Sequence, residues 1–100
     1  MRLTQDQQTV IRSASAEAFG AGVGVWLFGS RADDRKKGGD IDLLICPGPD
    51  ATDQLFSRKI RLLTQLERAL GERKIDIVIK APHDTRPIIE IAHATGVQIK

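Results

Sequence analysis

Tyrosine is missing from the 100 residues, and the aromatic complement stops at Phe19, Trp26, Phe28 and Phe56. The core must therefore be built mainly from Ile, Leu, Val and Ala, and the ring platforms on which single-stranded nucleic acids stack are not provided. A single cysteine, Cys46, excludes an internal disulfide and a Cys-based zinc cluster. Placed at the end of an apolar run, it reads as a small buried hydrophobe rather than a nucleophile. No apolar stretch approaches the ~20 residues that span a bilayer, and Met1-Arg2-Leu3-Thr4-Gln5 lacks the apolar run of a signal peptide. The expectation is a cytoplasmic protein without a membrane partner. A strong excess of one charge is missing too: fifteen basic against thirteen acidic residues leave +2. That is no polybasic footprint, and it argues against direct nucleic-acid binding.

What remains is a chain with 41% apolar residues, enough for one compact α/β (α+β) domain and too little for two. Neither repeat nor low-complexity tract marks a boundary, so residues 1–100 are read as one domain. Any second substrate-binding unit is expected from another chain, in a homo- or hetero-oligomer.

Thr4 and Gln7 have capping-box spacing, and Val10, Ile11, Ala14 and Ala18 share one face of the helix that follows, from about Gln5 to Phe19, with Gly20 as its stop. The run from Val23 to Phe28 reads as a buried strand, and Asp40 to Cys46 as a second, closed by Pro47-Gly48-Pro49. The longest helix is expected from about Asp53 to Leu70, burying Phe56, Ile60, Leu63, Leu66 and Leu70, with Asp50 and Asp53 near its start as caps. Arg58, Lys59, Arg61 and Arg68 on its other face read as solvated charge. Ile75 to Ile79 is a third strand, Pro87 opens a short last helix that ends near Gly96, and Val97-Gln98-Ile99 forms an edge strand. Asp84 reads as a turn former or cap, and Trp26 as core. His83 and His93 carry no role.

The chemistry sits in the acids. Asp40 and Asp42 are two apart in a strand, so their carboxylates share a face while Ile41 and Leu43 point into the core. Adjacent carboxylates repel unless water or a cation relieves them, and Mg²⁺ takes such ligands together with phosphate oxygens. Asp76 is the only polar residue of the third strand. On a neighbouring strand roughly 5 Å away it would face the pair. Three converging carboxylates can hold two metal ions, as in-line nucleotidyl transfer requires, with Asp76 helping to activate the attacking hydroxyl. Gly29-Ser30 follows a buried strand, where glycine permits a sharp turn. Backbone N–H groups there, with Ser30 and Arg31, are suited to a triphosphate tail.

Phe28-Gly29-Ser30, nine intervening residues and Asp40-Ile41-Asp42-Leu43 together resemble the defining pattern of the DNA polymerase β-like nucleotidyltransferase superfamily. The segment G-S-R-A-D-D-R-K-K-G-G-D-I-D-L-L-I is similar to the minimal nucleotidyltransferases, small prokaryotic proteins often paired with a HEPN-domain partner. The resemblance implies a nucleotidyltransferase fold, a small mixed sheet of three to four strands flanked by helices. It implies Asp40 and Asp42 as metal ligands, Asp76 as the third acid, and Gly29 and Ser30 as the triphosphate-binding turn. The implied activity is Mg²⁺-dependent transfer of AMP from ATP, or of another nucleotide from its triphosphate. The acceptor would be a hydroxyl, a tyrosine, on the HEPN toxin, which the minimal nucleotidyltransferase of such a pair neutralises as its antitoxin. Two departures stand out: Asp33-Asp34 where the family has a small residue, and Gly39 where it has serine. Neither removes a ligand, and Arg35, Lys36 and Lys37 offset the added charge, although their ordinary reading is solvated loop. The alternative is a non-catalytic antitoxin or interaction module that keeps the aspartates as a metal or nucleotide anchor.

Overall fold

The computed structural model describes residues 3–29, 40–71 and 73–100. Thr4 and Gln7 cap the first helix reciprocally: the Thr4 hydroxyl accepts from the Gln7 N–H at 3.1 Å, and the Gln7 side-chain oxygen accepts from the Thr4 N–H at 2.9 Å. That helix, α1 (Gln5–Phe19), buries Ile11, Ala14, Ala18 and Phe19 and ends at Gly20. Along the chain follow β1 (Gly24–Phe28), β2 (Ile41–Cys46), α2 (Leu55–Leu70), β3 (Ile75–Ile79), α3 (Pro87–Thr95) and β4 (Val97–Gln98).

The strands form one mixed sheet in the order β3-β2-β1-β4. β1 is antiparallel to both β2 and β4, whereas β2 and β3 are parallel. A parallel pair needs a long crossover, and α2 supplies it. Alternation along the strands sends Val25, Leu27, Ile41, Leu43, Ile45, Ile75 and Ile77 to one face, where they pack with residues of α1 and α2. On the other face Phe28 and Leu44 meet Ile89 and Ala92 of α3. None of the described helices is long and apolar enough to cross a membrane.

Four details differ from the sequence reading. Asp40 stands just before β2 rather than inside it. The α2 cap is Gln54, without a side-chain hydrogen bond, so neither Asp50 nor Asp53 caps the helix. Asp53 instead pairs with Arg58 at 3.0 Å, and Arg58 also donates to the Ala18 carbonyl of α1, so this arginine is a structural tie rather than solvated charge. The buried stripe of α2 is also rotated. Phe56 is 69% exposed and Ile60 46%, while Leu62 and Leu66 are fully buried. The helix carries two adjoining apolar columns, and the leucine-bearing one meets α1 and the sheet.

Candidate active site

β2 is pinned by Ile41, Leu43 and Ile45, all fully buried, because a slip of one residue would drive the acids into the core. In that register Asp42 lies directly opposite Asp76 of β3, and on its other side opposite Phe28 of β1. Paired residues project to one face, so both carboxylates stand on the α3 side of the sheet. Asp42 is half-buried and Asp76 exposed. Asp40, also exposed, flanks them and acts on Asp42 through its charge. Among the described residues, no three His, Cys, Asp or Glu gather closely enough to form a metal-ligand group. The structure thus brings Asp42 and Asp76 together and leaves Asp40 beside them.

Burial pushes the Asp42 carboxyl above its ordinary value, and the negative charges of Asp76 and Asp40 push it further. Lys74 opposes them; its ammonium stands 3.9 Å from Asp76. Among the described residues the charge at Asp42 is therefore poorly compensated, and a proton or a bound cation would relieve it. The donors are hard carboxylate oxygens, which fit Mg²⁺ in chemistry.

Gly29 closes β1 at φ 74°, a conformation that favours glycine. A Cβ there would collide with the Asp42 carboxylate, so the turn and the acid occupy adjoining space. Ser30 and Arg31, expected to hold phosphate with Gly29, lie outside the described residues, as do Asp33, Asp34, Arg35, Lys36, Lys37 and Gly39.

A cavity of about 550 Å³ opens from the acid pair, with Asp42, Asp76, Phe28 and Val78 at one side and Lys59 and Leu63 of α2 at the other. Lys59 is the residue missed in the sequence, where it is one of several charges on an amphipathic helix. Its only signal is its spacing, three after Phe56 and four before Leu63. Neither histidine lines this cavity: His93 packs edge-on against Trp26 with ring centroids 4.5 Å apart, and His83 occupies a turn at φ 60°. Cys46 is half-buried and its thiol is pushed up by burial, as suits an unreactive packing residue.

The family model described as "Polymerase beta, Nucleotidyltransferase" matches residues 22–100, more than half of the chain. The chain belongs to the polymerase beta nucleotidyltransferase family. Its nucleotidyltransferase match takes in Gly29, Asp40, Asp42 and Asp76, all four strands, α2 and α3, and leaves α1 outside. No curated protein matches the sequence.

Proposed function

We propose that this protein is a Mg²⁺-dependent nucleotidyltransferase that moves AMP from ATP to a hydroxyl, a tyrosine, of a partner protein, as the antitoxin of a HEPN toxin–antitoxin pair. The observation that carries the transfer reading is Asp42 facing Asp76 across parallel strands, next to the Gly29 turn. Asp42 and Asp76, with Asp40, would hold the metal, which when bound supplies charge neutralisation to the phosphates. Gly29, with Ser30 and Arg31, would hold the triphosphate tail. Asp76, the more exposed member of the facing pair, would orient the acceptor hydroxyl and take its proton. The acceptor oxygen bonds to the α-phosphorus, the bond from that phosphorus to the bridging oxygen breaks, and pyrophosphate leaves with the electron pair.

A protein acceptor is supported by the resemblance of residues 29–45 to the minimal nucleotidyltransferases, whose partner is a HEPN protein. With no tyrosine of its own, the chain would have to find that acceptor elsewhere. The second reading, a non-catalytic module that neutralises by complex formation, is favoured by the lack of a three-ligand group among the described residues. Incubation with α-labelled ATP, Mg²⁺ and the HEPN-domain product of a neighbouring gene separates them. Label in the partner that disappears with Asp42→Asn supports transfer. Neutralisation without label, unaffected by Asp40→Ala, supports the binder.

A further inference from the structure

β3 is a terminal strand of the sheet. The Ile41 N–H donates to the Lys74 carbonyl at 3.0 Å, and the Lys80 N–H to the Ile45 carbonyl at 2.9 Å. In a parallel ladder this turns the backbone groups of Lys74, Asp76, Val78 and Lys80 toward β2 and those of Ile75, Ile77 and Ile79 outward. Arg86 donates to the Ile79 carbonyl at 2.8 Å; among the described residues no strand pairs with the outer side of β3. Natural edges are commonly blunted by proline, bulges or several charges, whereas β3 reads I-D-I-V-I.

The surface beside this edge is apolar and continuous with the site. Phe56, Lys59, Ile60 and Leu63 are spaced three and four apart and so form one stripe of α2. Lys59 and Leu63 line the cavity that reaches Asp42 and Asp76, while Phe56 and Ile60 are exposed farther along the stripe. The cavity thus has a carboxylate pole on one side of the β3 edge, an ammonium pole on the other, and apolar walls between.

We infer that an extended acceptor segment of a partner protein pairs with the open edge of β3, setting a hydroxyl side chain against Asp76 and an acidic side chain against Lys59. The inference rests on the transfer reading for the identity of the hydroxyl as acceptor. Side chains of an added strand alternate between the two faces of the sheet. The aspartates lie on the α3 face and Lys59 on the α2 side, so the acidic residue is the immediate sequence neighbour of the hydroxyl residue, not the next but one. Backbone pairing to Ile75 and Ile77 gives affinity, and Lys59 gives the charge preference.

Fluorescence anisotropy of the full chain with labelled ten-residue peptides tests this, using a central tyrosine with glutamate adjacent, glutamate two residues away, or lysine adjacent. The adjacent-glutamate peptide binds about tenfold tighter than either other, a difference of ~1.4 kcal/mol. The preference disappears in Lys59→Ala, reverses in Lys59→Glu and survives in Lys59→Arg. N-methylation of alternate peptide backbone nitrogens, which leaves the protein untouched, abolishes binding in the frame that pairs with β3. Equal affinities, a preference unaltered by Lys59→Ala, indifference to N-methylation, or sedimentation as a dimer that excludes the peptides overturns the inference. Incorporation of α-label from ATP is read separately. Charge-selective docking without incorporation counts against the transfer reading, and incorporation indifferent to glutamate counts against this one.

Discussion

Gly29 and Asp42 interlock: a Cβ at position 29 would fall on the Asp42 carboxylate where it now stands, so a larger residue there would turn that carboxylate aside. The glycine also sits at φ 74°, so two independent constraints fall on one residue. Gly29→Ala is expected to destabilise the fold by about 1–2 kcal/mol through the backbone conformation. It should also displace Asp42 and lower nucleotide-dependent stabilisation more than the fold. Chemical denaturation compared with thermal melts in Mg²⁺ and ATP checks both effects; an alanine variant that melts and binds like wild type would contradict the interlock.

The raised pKa of Asp42 gives a signed prediction. A carboxyl whose folded value lies above its unfolded one favours folding while protonated, and that contribution is lost as pH rises through the folded value. At neutral pH the ionised pair opposes folding, so Asp42→Asn should raise Tm. Solvent screening of this half-exposed group limits the gain to about 1 kcal/mol or less, a few degrees in a domain of this size. The gain should shrink as pH falls through the raised folded value and be gone below about pH 4, where Asp42 is protonated in both states. Mg²⁺ or Mn²⁺ should stabilise wild type and not the variant. Scanning calorimetry across pH, with and without the cation, gives the answer.

Asp84 behaves oppositely. Arg86 covers its carboxylate, leaving the side chain 6% exposed, and holds it far below the usual carboxylate range, while Asp84 also accepts from the Ala81 and Arg86 N–H groups. The resulting stabilisation is present above the unfolded pKa and is lost as pH falls through the folded one. Asp84→Asn should therefore lower Tm at pH 7, with the deficit narrowing as pH falls below about 4. A deficit that is constant with pH would assign the effect to the turn hydrogen bonds alone.

The two columns of α2 differ in consequence. Leu66→Ala, at a fully buried position, should cost about 2–5 kcal/mol, whereas Phe56→Ser, at a position 69% exposed, should stay within ~0.5 kcal/mol. Urea unfolding of the two variants measures this, and comparable losses would place Phe56 in the core.

The sheet and the acid pair were largely legible because their signals are local: Ile41, Leu43 and Ile45 alternate with Asp42, and Asp76 interrupts an otherwise apolar strand. The Thr4–Gln7 cap was legible for the same reason. The rotation of α2 was not, because Phe56-Ile60-Leu63 and Leu55-Leu62-Leu66 both satisfy a helical period, and only the position of α1 chooses between them. Arg58 and Lys59 were unreadable on similar grounds. Adjacent in sequence, one reaches back to the Ala18 carbonyl and the other to the cavity, and neither destination has a sequence signature.

The most direct test of the proposed function is transfer of α-labelled nucleotide by wild type and Asp76→Asn with Mg²⁺ and the HEPN-domain protein proposed as acceptor, measured beside ATP binding by calorimetry. The proposed function predicts that α-label, and not γ-label, enters the partner with wild type. Asp76→Asn should keep its fold and most of its nucleotide affinity and lose at least about 100-fold in transfer rate. Undiminished transfer by Asp76→Asn would contradict it.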